Sequence, residues 1–124
     1  MSIKQVIGEA SPQRPYSRAV KVGNLVFVSG HASIDIETGK VVNGDIKVQT
    51  RQTIENIKSA LEKFGLTLEN VVKVTVFLKD MKYYEEMNEV YYSYFKQSPP
   101  ARTCVKAGLA KDELLVEMEA IAVT

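Results

Sequence analysis

The segment Val71-Val72-Lys73-Val74-Thr75-Val76-Phe77-Leu78 decides the fold. Its apolar, largely β-branched residues fill both strand phases, so it reads as a β-strand buried on both faces. On its upstream side, Ile54, Ile57, Leu61 and Phe64 recur at helical spacing within a stretch from about Val48 to Phe64. Gly65 then stands where a helix C-cap is expected. On its downstream side, Asp80 is suited to cap a second helix from about Met81 to Phe95, with Met87, Val90, Tyr91 and Tyr94 turned inward.

Further out, the pattern changes from helical to strand-like. Ala19 to Val22 and Leu25 to Ser29 are apolar runs joined by Gly23-Asn24, a two-residue hairpin signal. Glu37-Thr38-Gly39-Lys40 reads as a turn before a short strand at Val41-Val42. After Pro99-Pro100, Ala101 to Val105 and Val116 to Ala122 read as a last hairpin that pairs across Ala107 to Lys111. The order is β-β-β-α-β-α-β-β, an α+β fold with a mixed sheet and two helices on one face. No linker or internal repeat interrupts it, and residues 1–124 are expected to form one domain. Leu25-Val26-Phe27-Val28 is apolar in both phases too, so both sheet faces need cover. Two helices shield one face; a second copy of the chain is the simplest cover for the other.

Composition narrows the function classes. Apolar residues make up 45% and charged residues 25%, the balance of an ordinary globular protein rather than a disordered one. Sixteen basic and fifteen acidic residues leave a net charge of +1, which is no footprint for nucleic acid or an anionic membrane. The stretch Met1-Ser2-Ile3-Lys4-Gln5-Val6 has no apolar core of signal-peptide length, and no segment approaches the roughly 18 apolar residues of a membrane span. One cysteine excludes an intrachain disulfide and fits a reducing compartment, so a cytoplasmic location is expected. With one His and one Cys, a zinc site is rejected.

The chemistry concentrates in the last two strand segments. Arg102 and Cys104 share one face of the first, and Glu117 and Glu119 share one face of the second. An arginine fork grips carboxylates, and a nearby glutamate can move a proton on whatever the fork holds. Cys104 would serve as a nucleophile only with a base, and His31 is far away in sequence.

Pro15-Tyr16-Ser17, Val26-Phe27-Val28-Ser29-Gly30, Thr38-Gly39, Gln49-Thr50, Asn88-Glu89-Val90-Tyr91, Pro100-Ala101-Arg102 and Val116-Glu117-Met118-Glu119-Ala120 fall in one order over a short chain. In this the sequence resembles the Rid (YjgF) family of reactive intermediate deaminases, from about Tyr16 to Ala122. The resemblance implies a chorismate-mutase-like fold and a homotrimer with sites in the clefts between subunits. It further implies hydrolysis of 2-imino acids, such as 2-iminobutanoate and 2-iminopropanoate, to 2-oxo acids and ammonia, without a cofactor or metal.

Carried over residue by residue, Arg102 holds the substrate carboxylate and Glu117 handles water and the departing nitrogen. Tyr16 closes the pocket, Ser29 and Asn88 lend hydrogen bonds, and Cys104 lies beside the arginine. Glu119 reads as a structural or surface carboxylate. Three departures from the family pattern, Arg14, Arg18 and His31, stand beside the expected pocket, with His31 read as a polar loop residue. The alternatives are a binding or regulatory protein for 2-oxo acids and related carboxylates, or an RNA-directed translation inhibitor or ribonuclease. Near-neutral charge opposes the last.

Overall fold

The structure, a computed structural model, describes residues 3–124. Met1 and Ser2, the start of the N-terminal stretch, lie outside the described residues. Among the described residues, six strands form one sheet: β1 (Gln5–Ile7), β2 (Ala19–Val22), β3 (Leu25–Ala32), β4 (Val71–Leu78), β5 (Ala101–Lys106) and β6 (Val116–Val123). Helices α1 (Ile46–Glu62) and α2 (Tyr84–Tyr94) pack on one face of it and on each other.

Strand order is β1-β2-β3-β6-β4-β5, with β4 and β5 parallel and every other neighbour antiparallel. The expected last hairpin is therefore not formed: β4 lies between β5 and β6. The reason is burial. β4 is apolar in both phases and takes an interior position with a partner on each side. β5 exposes Ala101, Thr103, Val105 and Lys106, which suits an edge strand. A second correction concerns the early strands. Val41 makes an isolated bridge to Ile34, whereas Gln5–Ile7, silent in the sequence reading, adds the outer strand β1.

Local chemistry sets the helix ends. Asp45 caps α1 by accepting from the Val48 amide at 3.0 Å, so the helix starts two residues before Val48. At its other end Gly65 adopts φ +73°, and the Gly65 and Leu66 amides bond back to the Glu62 and Leu61 carbonyls. That is a Schellman closure, and glycine bears the left-handed conformation without strain. Asp80 accepts from the Lys82 amide and caps a short 3₁₀ turn at Met81–Tyr83 that runs into α2.

The core lies between helices and sheet. Val26, Val28, Val74, Val76, Leu78, Val116, Met118 and Ala120 meet Ile54, Ile57, Leu61, Met87, Tyr91 and Phe95. Each such aliphatic side chain contributes about 1.5–3 kcal/mol on burial. Gln49 is buried among them with its amide satisfied: it donates to the Gly44 and Glu113 carbonyls and accepts from the Leu115 amide. It ties α1 to the start of β6. Among the described residues no helix covers the opposite face, and there Phe27 stays 43% exposed.

Candidate functional site

Register assigns each candidate to a face. Arg102 is level with Val74, in a row that continues through Ala120 and Val28 to Ala19, all buried under the helices. The guanidinium accordingly meets α2. Its Nη1 donates to Asn88 Oδ1 at 2.7 Å and contacts Met87 Sδ at 3.9 Å, while Nη2 donates to the Tyr84 hydroxyl at 3.1 Å. The ring of Tyr91 lies 4.8 Å from the guanidinium carbon, a cation–π contact. Asn88 and Tyr84 are four residues apart and Tyr91 three beyond Asn88, so one helix face supplies the whole clamp. An arginine has five N–H donors, which leaves donors over for an anion.

Glu117 is level with Phe77, one residue out of phase with Val76, and so stands on the open face. Two strand spacings and three residues separate it from Arg102, roughly 14 Å between Cα atoms, with the sheet in between. The two do not meet within one chain. Glu117 is half-buried, and burial first, then the neighbouring Glu119 carboxylate, raises its pKa above the ordinary value. Arginine is absent from those causes, as opposite faces require.

Glu117 lies over a break in β3. Between Val28 and His31 the register with β6 shifts, a bulge at Ser29-Gly30. A Cβ on Gly30 would stand 2.8 Å from Glu117 Oε2, so glycine leaves the room this carboxylate occupies. Ser29 uses its hydroxyl to bond the Ser17 carbonyl at 2.6 Å, and its amide bonds the Arg18 carbonyl. These bonds fasten the segment carrying Tyr16, a residue 52% exposed, to the same bulge. The sequence candidates thus divide into two half-sites: Arg102, Asn88 and Cys104 toward α2, and Tyr16, Ser29 and Glu117 at the bulge.

The family described as Endoribonuclease L-PSP matches residues 7–124. A RutC family protein of Pyrococcus abyssi is 55% identical over 111 residues, covering 90% of this chain and 87% of its own. The chain belongs to the Rid (YjgF) family. Among solved structures, the Rid protein YyfA of Yersinia pestis superposes with a TM-score of 0.88 at 36% identity, covering 98% of this chain and 99% of its own. Escherichia coli TdcF, solved with bound serine, superposes at 0.83 with 32% identity, covering 96% and 94%.

Within this Rid chain several expectations change. His31 is not a loop residue: it sits in β3 level with Met118, buried, with its pKa lowered to about 4 by burial first and then by Arg18. Arg18 leaves the expected pocket rim and donates to the Asn56 carbonyl and Ser59 hydroxyl of α1. His31, Met118, Val76 and Cys104 form one row, which separates the imidazole from the thiol by roughly 14 Å, three strand spacings. Burial also raises the Cys104 pKa, with Arg102 opposing it, so the thiolate is disfavoured.

The clamp residues Tyr84, Met87 and Tyr91 were not singled out for the site from sequence. Their spacing around Asn88 was the available signal. A cavity of about 460 Å³ lined by Lys79, Lys106, Leu109 and Lys111 contains neither Arg102 nor Glu117. A depression of about 280 Å³ on the open face is bounded by Phe27, Ser29, Lys73, Thr75, Glu119 and Ile121.

Proposed function

We propose that this Rid protein, acting as one domain over residues 1–124, hydrolyses small 2-imino acids such as 2-iminobutanoate and 2-iminopropanoate to 2-oxo acids and ammonia. It does so as a homotrimer whose sites join the Arg102 half-site of one chain to the Glu117 half-site of the next. The observation that carries the reading is the α2 clamp: Asn88, Tyr84 and Tyr91 hold the Arg102 fork in place with donors to spare. A pre-oriented fork suits a substrate carboxylate. TdcF, a relative described with bound serine, holds an amino acid whose carboxylate and nitrogen-bearing carbon resemble those of a 2-imino acid.

In the reaction, Arg102 grips the carboxylate and presents the adjacent C=N carbon to the facing chain. Glu117 accepts a proton as the water oxygen bonds that carbon and passes it to the imine nitrogen, giving a neutral carbinolamine. It then takes the carbinolamine O–H proton and delivers it to the nitrogen as the C–N bond breaks, so that C=O forms and ammonia leaves a 2-oxo acid. The raised pKa of Glu117 fits both halves of this shuttle, because its acid form is populated closer to neutrality than that of an ordinary glutamate. Tyr16 closes over the substrate, Ser29 fixes the Tyr16 segment, Asn88 orients the arginine, and Cys104 contributes to the pocket wall. No metal or cofactor takes part in this scheme.

A dehydratase acting on serine or threonine supplies the imine, whose decay to the 2-oxo acid is followed with and without this protein. Acceleration over buffer is expected. Decay at the buffer rate would leave the binding or regulatory reading for 2-oxo acids. The family description names an endoribonuclease, but a net charge of +1 supplies no overall excess of positive charge to hold an RNA backbone.

A further inference from the structure

The two oxygens that hold Arg102 are not equivalent. Asn88 accepts from Nη1 through its carbonyl oxygen, an atom with no proton to give. Tyr84 accepts from Nη2 at 3.1 Å through a phenol oxygen, which keeps its own O–H to donate. Tyr84 is 39% exposed, whereas Tyr91, the other aromatic against the guanidinium, is 7% exposed. Tyr84 is thus the phenol that a solute at Arg102 can reach.

Its ring centre lies 5.6 Å from the guanidinium carbon while its hydroxyl touches the guanidinium nitrogen. The O–H therefore sits at the edge of the fork, where an anion held by the remaining N–H groups would place an oxygen. A phenol polarised by donation from a cation is also a stronger donor itself.

We infer that the Tyr84 hydroxyl donates to the carboxylate that Arg102 holds, making Tyr84 a binding residue that selects 2-imino and 2-oxo acids over their neutral analogues. This rests on the carboxylate-binding reading of Arg102 given above. The phenol and the guanidinium form a composite receptor: the cation supplies charge, and the hydroxyl supplies a further directed bond. Tyr84→Phe keeps the ring beside the guanidinium and removes the hydroxyl alone, so a change in selectivity reports the bond rather than the packing.

The test measures binding of 2-oxobutanoate and of the neutral 2-oxobutanamide to the wild type, Arg102→Ala and Tyr84→Phe by ligand-observed NMR titration. The wild type is expected to favour the acid, and Arg102→Ala to lose that preference. Tyr84→Phe is expected to weaken the acid about tenfold, the size of one hydrogen bond to a charged group, and leave the amide unchanged. In the imine assay the same variant raises KM with kcat held. A wild type without preference for the acid overturns the carboxylate reading and this inference together. A wild type with that preference, beside a Tyr84→Phe that retains it or weakens both ligands equally, overturns the role of Tyr84 alone.

Discussion

Glu117 rests above Gly30, and the contact separates function from stability at one position. The atom that a Gly30 Cβ would meet, Oε2, is the mobile end of a side chain. Gly30→Ala is therefore expected to leave the unfolding free energy nearly unchanged, within about 0.5 kcal/mol, while displacing the carboxylate and lowering kcat/KM. Glu117 itself carries a pH signature. With its folded pKa raised, its contribution to stability is full below the ordinary glutamate pKa and is lost as pH rises through the higher folded value. Urea midpoints of Glu117→Gln should lack that loss, while its imine turnover falls. His31 has the opposite sign. Its folded pKa of about 4 lies below the ordinary 6.5, so stability is full at neutral pH and is lost as pH falls through that window. Between pH 7 and pH 4.5 the loss is on the order of 2–3 kcal/mol, and His31→Gln should remove most of it in urea titrations.

At the scale of elements, two small devices decide much of the stability. Gly65→Ala forces a side chain into the left-handed closure of α1 and should cost about 1 kcal/mol, a drop of about 4 °C in Tm. Gln49→Ala strands the Glu113 carbonyl and the Leu115 amide that its buried amide satisfies, and should cost about 2–4 kcal/mol by urea unfolding. Such elements also show what the sequence made legible. The helices were readable because Ile54, Ile57 and Leu61, and Met87, Val90 and Tyr91, follow helical spacing and Gly65 marks an end. The strands were readable from their apolar, β-branched runs, except Gln5–Ile7, which is too short and too exposed to show a pattern. Pairing was the failure. Sequence adjacency favoured a hairpin of β5 with β6, but the two-faced apolar character of β4, already visible, demanded a partner on each side. The same error brought Arg102 and Glu117 together in one hairpin. Alternation within each strand is visible in the sequence, but opposite faces follow only from register across β4.

At the scale of the molecule, the open face leaves Phe27 in solvent in a row with Val20, Ile121 and Lys73. Another copy covers it most simply, and for the homotrimer proposed above light scattering at micromolar concentration should report a mass of about three chains of 13.8 kDa each. Arg102 lies on one side of the sheet and Glu117 on the other, so under the proposed mechanism one chain cannot complete a site alone. Co-expression of Arg102→Ala with Glu117→Gln tests this most directly, since each variant is expected to lose imine hydrolysis by itself. If neighbouring chains contribute the two groups, every mixed trimer regains one intact site, and the mixture should reach about a quarter of wild-type imine hydrolysis. Activity of the co-expressed pair no higher than that of the separate variants, with an active wild type, would contradict a site shared between chains.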